Sequence, residues 1–404
     1  MRRVAVTGLG VVSAAGHCPQ TFWESVRNGR SAIGPIESVD RGKLRFPNAA
    51  EVRGYDAEAH FPGKQVDFID RFAQFLVVSA RQAISAAGLK WTDELRERTA
   101  IITGSCVGGQ TTEDIGFIDI YRDDKPRVNP LTIPRVMANA GASHLSMESG
   151  VTGPCYTIST ACSSSNHAIG QAFSMIRTGQ ADVAITGGSE APFSLGHLKA
   201  WEAMRVVSPD TCRPFCKDRR GMILGEGGAA MVLESFEHAR ARGAHVLAEI
   251  VGFGMSADAT HITQPSAAGA ARAMRAAILD AGIEPSQIGY INAHGTGTLA
   301  NDVTETIAIR AVFGEHANRL AISSTKSVHG HTLGAAGALE ALATIMGLCD
   351  GVLPPTANFT GPDPECDLDV IPNQPRELAV EYALSNSFAF GGLNAVLALR
   401  RPPR

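Results

Sequence analysis

Cys162 lies where a strand-like run gives way to a helix-like pattern. Segment 155–160 is rich in residues that favour strands, and apolar residues recur at helical spacing over 168–176. At the first turn of a helix, free backbone N–H groups and the helix dipole favour a thiolate, and one N–H can face a developing oxyanion. We therefore interpret Cys162 as a candidate nucleophile. The alternative is a buried structural cysteine, the usual role of an isolated thiol.

A histidine follows a second strand-like run. His294 comes after the apolar segment 288–293 and opens the sequence HGTGT, 294–298, whose glycines leave room for a close approach and whose threonines offer hydroxyls. Asp302 and Glu305 fall in the first turns of the predicted helix that follows, where carboxylates suit the helix dipole. A structural histidine at a strand end is the alternative.

Lys326, His329 and His331 precede an Ala/Gly-rich helical pattern. A lysine at the end of an apolar strand is costly to bury unless a carboxylate pairs with it, and we predict Glu305 as that partner. Near the C-terminus, SNSFAFGG at 385–392 predicts a tight turn between two strands. It is either a plain hairpin or a loop whose Phe390 N–H completes an oxyanion hole.

The elements around these residues repeat. A shift of 164 residues carries 158–170 onto 322–334 and 227–233 onto 391–397. A shift of 194 carries Ala87-Gly88 onto Ala281-Gly282. Alternating strands and helices predict an α/β fold, and a repeat of this kind predicts a duplicated unit.

Further upstream, a shift of 244 carries Gly8-x-Gly10 onto Gly252-x-Gly254. The first half therefore holds 80 extra residues in two insertions, and the predicted halves are 1–245 and 246–404 around one core. Because Cys162 and Lys326 occupy equivalent positions in the two copies, we expect them to face one cleft together with His331.

Composition excludes several classes of function. The 404 residues include 36 Lys plus Arg and 40 Asp plus Glu, a net charge of −4 without a basic block, which argues against nucleic-acid binding. Eight scattered cysteines favour free thiols in a reducing cytoplasm. We find no apolar run of the ~18 residues that a membrane helix requires. No metal site, Walker motif or complete dinucleotide fingerprint is present, since Ser13 replaces the third glycine after Gly8-x-Gly10.

Taken in order, TACSSS, GGSEAP, RPFCKDRRG, HGTGT, STKSVHGHT and SNSFAFGG resemble the elongating β-ketoacyl-acyl-carrier-protein synthases of the thiolase superfamily. The resemblance covers essentially the whole chain. It implies the thiolase fold, in which duplicated α/β halves form a layered α-β-α-β-α core. It also implies an acyl-accepting Cys162, a Cys-His-His site completed by His294 and His331 but not His329, and the pair Lys326 and Glu305. The amides of Cys162 and Phe390 would form the oxyanion hole.

The resemblance further assigns substrate contacts. Thr296 and Thr298 match positions that bind the phosphopantetheine arm, and Val107 and Trp201 match or lie near positions that line the acyl pocket. Some members hold a monovalent cation with residues that correspond to Asn292, Glu340, Ser385 and Asn386. No metal or redox cofactor is needed for the reaction itself.

The implied reaction is a decarboxylative Claisen condensation of a Cys162-bound acyl chain with malonyl-acyl-carrier protein, which gives β-ketoacyl-carrier protein and CO2. The implied partners are an acyl carrier protein and a second chain, either a copy of this one or a ketosynthase-like chain-length-factor subunit. We expect segment 152–160 to be the edge strand of that dimer.

Several residues depart from the usual pattern of the family: Cys216, Arg220, Leu393 and the pair Val328-His329. They favour a specialised pathway of nodulation, polyene or polyketide type, with a housekeeping fatty-acid synthase as one alternative. A non-catalytic carrier-binding subunit is another, although a chain-length factor should lack Cys162. A thiolase should have a second cysteine in SNSFAFGG, and a chain-initiating synthase should have asparagine in place of His331.

Overall fold

The computed structural model describes residues 1–402, and ten of the strands in that range form one continuous sheet. The strands are β1 (Val4–Ser13), β2 (Gly34–Pro35), β3 (Asn48–Ala49), β4 (Thr99–Gly104), β5 (Cys155–Ile158), β6 (Val183–Glu190), β7 (Gly227–Ser235), β8 (Ala248–Ala257), β9 (Ile288–Asn292), β10 (Ala321–Ser323), β11 (Val352–Leu353), β12 (Arg376–Glu377), β13 (Tyr382–Phe388) and β14 (Leu393–Arg400). The large sheet has the order β10-β9-β13-β14-β8-β1-β7-β6-β4-β5. Strands β2 and β3, and β11 and β12, form two small ladders.

The helices cover both faces of this sheet and the space between its two halves. They are α1 (Pro19–Arg27), α2 (Ala57–His60), α3 (Arg71–Ala87), α4 (Asp93–Glu97), α5 (Gln110–Tyr121), α6 (Thr132–Val136), α7 (Ala140–Ser149), α8 (Ser164–Arg177), α9 (Leu195–Met204), α10 (Phe236–Ala241), α11 (Ala267–Ala281), α12 (Leu299–Phe313), α13 (Lys326–His329) and α14 (Ala336–Asp350). Short 3-10 turns lie at Arg41–Lys43, Gly63–Phe68, Pro285–Gln287, Gly314–Arg319 and Leu333–Ala335.

The two halves of the sheet have the same strand order and strand directions. In β5-β4-β6-β7-β1 and in β10-β9-β13-β14-β8, the first two pairings are parallel and the last two antiparallel. Antiparallel pairing of β1 with β8 joins the halves. Helices α8 and α14 pack on each other and on strands of both halves, whereas α3 and α11 cover the outer faces. The predicted duplicated, layered α/β fold is confirmed, and the boundary between residues 245 and 246 stays a prediction.

Paired glycines let the outer helices lie directly on the sheet. A Cβ atom on Gly8 or Gly10 would stand 2.1 or 1.9 Å from a backbone carbonyl oxygen of α3. A Cβ atom on Gly252 or Gly254 would stand 2.4 or 2.2 Å from one of α11. Each copy of the Gly-x-Gly repeat therefore allows a helix to pack closely on the strand that carries it.

One apolar segment corrects the expectation that no run is long enough to cross a membrane. Within residues 1–402, Leu333–Asp350 is long and apolar enough to span a membrane, with a mean hydropathy of 1.3 over 18 residues. In the fold this segment ends in α14, and 83% of it is buried between the two halves. Its apolar character is explained by its place in the core.

The predicted edge and turn are both present. Strand β5 lies at one end of the sheet, next to β4 only, and leaves Tyr156 38% exposed. At the other end of the chain, residues 389–392 connect β13 to β14 as an antiparallel hairpin. The expectation that segment 152–160 contains an edge strand is therefore confirmed.

We predict that Gly10→Ala lowers the free energy of unfolding by about 2 kcal/mol, because the added methyl group collides with the Ser79 carbonyl of α3. Gly361→Ala is the matched control, since nothing lies within 4 Å of its added Cβ. Urea unfolding followed by circular dichroism measures both variants. Equal midpoints for the two would contradict the packing argument.

Candidate active site

A cavity of about 290 Å³ brings together residues from several distant segments. Its lining includes most of the side chains that the sequence singled out: Cys162, Trp201, His294, Thr296, Thr298, His331 and Phe390. Lys326 and Glu305 are fully buried behind this lining. Val107 is not part of this lining, and its backbone N–H donates to the carboxylate of Glu190 at 3.3 Å.

Cys162 lies at the turn that leads from β5 into α8. Helix α8 begins at Ser164, and Ala161 adopts a left-handed backbone with φ of +50° just before the cysteine. The backbone N–H groups of Phe390 and of Cys162 itself face the sulfur. Both predicted oxyanion donors are therefore directed at the place where an acyl thioester would form.

The resting cysteine is a thiol at neutral pH. Burial raises the pKa of Cys162 to about 11, against the opposing effect of the Lys326 ammonium and the two amides. The Cys162 amide at the helix start favours the thiolate, as expected from the sequence, but the cost of burying the charge is larger than this stabilising effect.

His331 is held in one tautomer by its own loop. The backbone N–H of Leu333 donates to Nδ1 of His331 at 3.2 Å, which leaves the ring proton on Nε2. Burial, followed by the charges of Lys326 and His329, lowers the pKa of His331 well below its usual range. The ring is therefore a neutral hydrogen-bond donor.

His294 is in the same state for a different reason. Nζ of Lys326 lies 3.3 Å from Nδ1 of His294 and donates to its carbonyl oxygen at 2.6 Å. An ammonium beside Nδ1 requires the ring proton to be on Nε2. Burial, Lys326 and His331 together lower the pKa of His294 well below its usual range. The two histidine rings lie 5.5 Å apart at 84°.

The predicted partner of Lys326 was wrong. Its ammonium forms an ion pair with Glu340 of α14, not with Glu305. Glu305 instead accepts hydrogen bonds from the backbone of His294 at 2.9 Å and Gly295 at 2.8 Å. The signal for the correct partner was a glutamate within the largely apolar helix 336–350, where a buried charge requires an opposite one.

The substrate-facing residues show distinct contacts. The hydroxyls of Thr296 and Thr298 lie 2.8 Å apart, and Thr298 also caps α12. The indole ring of Trp201 stacks on Phe390 with centroids 6.2 Å apart, and its N–H donates to His197 at 2.8 Å. These contacts place Trp201 beside the oxyanion turn.

Four buried side-chain oxygens near Lys326 have no hydrogen-bond partner within residues 1–402. They belong to Asn292, Glu340, Ser385 and Asn386. Asn292 and Ser385 are paired across β9 and β13, and the Asn292 amide donates to the Glu340 carbonyl at 3.1 Å. Carbonyl, hydroxyl and carboxylate oxygens suit a hard cation, so these residues fit the monovalent cation that the resemblance implies.

We predict that His294 and His331 both stay neutral well below the pH at which a free imidazole takes up a proton, because burial and the Lys326 charge lower both pKa values. The double variant Lys326→Met/Glu340→Gln removes the ammonium without leaving a buried charge unpaired, and it should raise the pKa of both rings. ¹⁵N NMR of labelled histidine measures the titrations. Unchanged pKa values in the double variant would show that Lys326 does not control the rings.

Comparisons with known proteins agree with this geometry. Residues 1–239 match the N-terminal domain of β-ketoacyl synthase and residues 247–360 match its C-terminal domain. The chain is 48% identical to nodulation protein E of Rhizobium sp. (strain N33) over 402 residues, which cover 99% of both chains. It is 40% identical to 3-oxoacyl-[acyl-carrier-protein] synthase 2 of Staphylococcus aureus (strain N315) over 407 residues, covering 99% and 98%.

Solved structures give the same result. The ishigamide ketosynthase/chain length factor has a TM-score of 0.94 at 37% identity, and a β-ketoacyl synthase from Burkholderia phymatum STM815 has 0.93 at 36%. Each comparison covers 100% of this chain and 100% of the solved chain. The expected family, enzyme class and thiolase-type fold are thus confirmed, and the chain belongs to the β-ketoacyl synthase family.

Proposed function

We propose that the protein condenses a Cys162-bound acyl chain with malonyl-acyl-carrier protein, with loss of CO2. One observation carries this proposal: two neutral histidines, His294 and His331, both have the proton on Nε2 beside the nucleophile. Two such donors can stabilise the oxygen of an enolate, which is the species that decarboxylation of a malonyl thioester creates.

In the first step, the sulfur of Cys162 attacks the thioester carbonyl of the incoming acyl chain. The carbonyl oxygen gains negative charge next to the N–H groups of Cys162 and Phe390, which already face that position. The carrier thiol leaves and takes up the proton that the Cys162 thiol loses. The raised pKa of Cys162 is compatible with this exchange of one thioester for another.

In the second step, malonyl-carrier protein occupies the cavity and its carboxylate leaves as CO2. The electron pair moves onto the thioester oxygen, which accepts hydrogen bonds from Nε2 of His294 and His331. The resulting carbanion attacks the acyl carbon on Cys162. The thiolate is expelled and takes a proton from solvent, so the enzyme returns to its resting thiol.

The wider surroundings support a carrier-bound substrate. Thr296 and Thr298 line the route to Cys162, where their hydroxyls can bind an amide-containing arm. Arg205 and Arg220 line the same cavity, and within residues 1–402 neither forms an ion pair. They can bind the phosphate of the arm or acidic groups of a carrier, and a type II polyketide ketosynthase with 32% identity is known in complex with its acyl-carrier protein.

We assign the enzyme to a specialised acyl pathway in the cytoplasm. Support comes from the higher identity to nodulation protein E, 48%, than to the 3-oxoacyl synthase, 40%. All eight cysteines are free thiols, as a reducing compartment requires.

A monovalent cation would be held by Asn292, Glu340, Ser385 and Asn386, and it would supply positive charge beside Glu340. We also propose that Val107 contacts the acyl chain, outside the cavity described above.

We further propose that the chain forms a dimer through β5, with a copy of itself or with a chain-length-factor-like subunit. An unpaired edge strand invites pairing, and β5 is such an edge. Large apolar side chains are exposed on the neighbouring helices, among them Phe117, Ile133 and Met147. A neighbour in fold combines a ketosynthase with a chain length factor.

The reaction is tested in a reconstituted system with acyl- and malonyl-carrier protein. We predict that Cys162→Ala neither accepts an acyl group nor forms product, because no other group faces the oxyanion donors. We expect His294→Ala and His331→Ala to load the acyl group but to lose decarboxylation, by ~100-fold or more, as for other removed oxyanion donors.

Intact mass measures loading, labelled CO2 measures decarboxylation, and the mass of the carrier-bound product identifies the acyl chain. Normal CO2 release in either histidine variant would overturn the assigned roles. A saturated chain of housekeeping length as sole product would overturn the specialised pathway.

The dimer is tested by light scattering at micromolar concentration, where we expect twice the chain mass of 42.5 kDa. Tyr156→Asp places a charge on the edge strand and should weaken the dimer. Leu279→Asp is the matched control, because it changes an exposed apolar residue on the distant helix α11. An active monomer would show that β5 is not an interface.

A further inference from the structure

The reaction as derived gives no role to a buried carboxylate that lies close to the cavity, Glu190. Glu190 ends β6 and is fully buried, and its carboxylate accepts four hydrogen bonds. Three come from the loop after β4: the Ser105 hydroxyl at 3.1 Å, the Cys106 N–H at 2.6 Å and the Val107 N–H at 3.3 Å. The fourth comes from the N–H of Gly334 at 3.1 Å, in the other half of the molecule.

Gly334 connects this carboxylate to a catalytic histidine. It directly follows Leu333, whose N–H fixes the tautomer of His331. The carbonyl of Gly334 accepts a hydrogen bond from Ser165, in the first turn of the nucleophile helix α8. The turn 331–334 is therefore held on one side by α8 and on the other by Glu190.

The approach is too close for any residue but glycine. A Cβ atom on Gly334 would lie 2.4 Å from the Cys106 backbone nitrogen and 2.5 Å from a carboxylate oxygen of Glu190. Close backbone approach of this kind is a known reason for glycine at a fixed position. The close contact therefore requires glycine at position 334, in the turn that carries His331.

We propose that Glu190 is a positioning residue that holds the 331–334 turn, and through Leu333 the donor tautomer of His331, against the loop Ser105–Val107. This inference rests on the proposed function, because His331 matters only if it donates to an enolate. Glu190 does not line the cavity and touches no reacting atom. Its charge also raises the pKa of Cys162, whereas its effect on decarboxylation passes through His331.

The ionised carboxylate is the form that can act in this way. An ionised carboxylate accepts all four bonds, whereas a protonated one would face one N–H with its own proton. Burial raises the pKa of Glu190 to about 7, against the effect of its four donors. The titratable groups that face it are the thiols of Cys106 and Cys162, together with the neutral ring of His331 in the adjoining turn. The positioning is therefore present above pH ~7 and is lost as the pH falls below it.

The test compares Glu190→Gln, His331→Ala and the double variant in the two half-reactions. The glutamine amide replaces one acceptor oxygen by a donor, so the turn should shift. We expect malonyl-carrier decarboxylation to fall ~10- to 100-fold, the usual cost of a misplaced catalytic group, with acyl loading on Cys162 changed less than about threefold. Because Glu190 acts through His331, adding Glu190→Gln to His331→Ala should cause no more than about a threefold further loss.

Glu234→Gln is the matched control. Glu234 is also a fully buried carboxylate with several donors, but Thr7, His238 and Arg242 provide them, at a site away from the cavity. It should lose stability while both half-reactions stay unchanged. ¹⁵N NMR of His331 should show one Nε2-protonated tautomer in the wild type and in Glu234→Gln, and a mixture in Glu190→Gln.

The outcomes separate this inference from the proposed function. A wild-type protein that releases no CO2 from malonyl-carrier protein would overturn the proposed function, and the NMR signature would still test the positioning of His331. If the wild type is active, the inference is overturned by a full multiplicative loss in the double variant, by equal losses in both half-reactions, or by an unchanged tautomer in Glu190→Gln.

Discussion

The site depends on a single buried ammonium. Lys326 is fully buried and its charge is met by the Glu340 carboxylate and the His294 carbonyl. A buried charge costs several kcal/mol unless it is paired and hydrogen-bonded, so this lysine has one stable position. From that position it lowers the pKa of both histidines and pulls the pKa of Cys162 down against burial. Burial and this positive charge together keep both histidines neutral, whereas burial outweighs the charge at Cys162.

The duplication of the α/β unit explains why Lys326 and Cys162 lie close together. The strand order of one half recurs in the other, and β1 moved by 244 residues gives the bounds of β8. Cys162 and Lys326 therefore occupy equivalent turns, one before α8 and one at the start of α13. Since α8 and α14 share the middle layer, Cys162 reaches the cavity while Lys326 is buried directly behind its lining. The fold and the grouping of Cys162, His294 and His331 could be predicted because each depends on local motifs and this repeat.

Side-chain contacts that depend on how the helices are oriented in the core could not be predicted from the sequence. Glu305 is closer in the chain to His294 and fills a backbone role, while Glu340 reaches Lys326 from α14. The protonation of Cys162 depends on more than its helix start, since complete burial is a property of the whole fold. Val107 and Glu190 likewise gain their contacts only from loops far apart in sequence.

The charge balance around Lys326 explains the unpartnered oxygens. Burial, with a smaller contribution from the Glu305 charge, raises the pKa of Glu340 to about 7 against the effect of Lys326. If Glu340 took up a proton, Lys326 would lose its counter-charge and the histidines would feel its field more strongly. Positive charge at the oxygens of Asn292, Ser385 and Asn386 would instead keep Glu340 ionised. If a cation binds at these oxygens, the same carboxylate would link its binding to the neutrality of the two histidine donors.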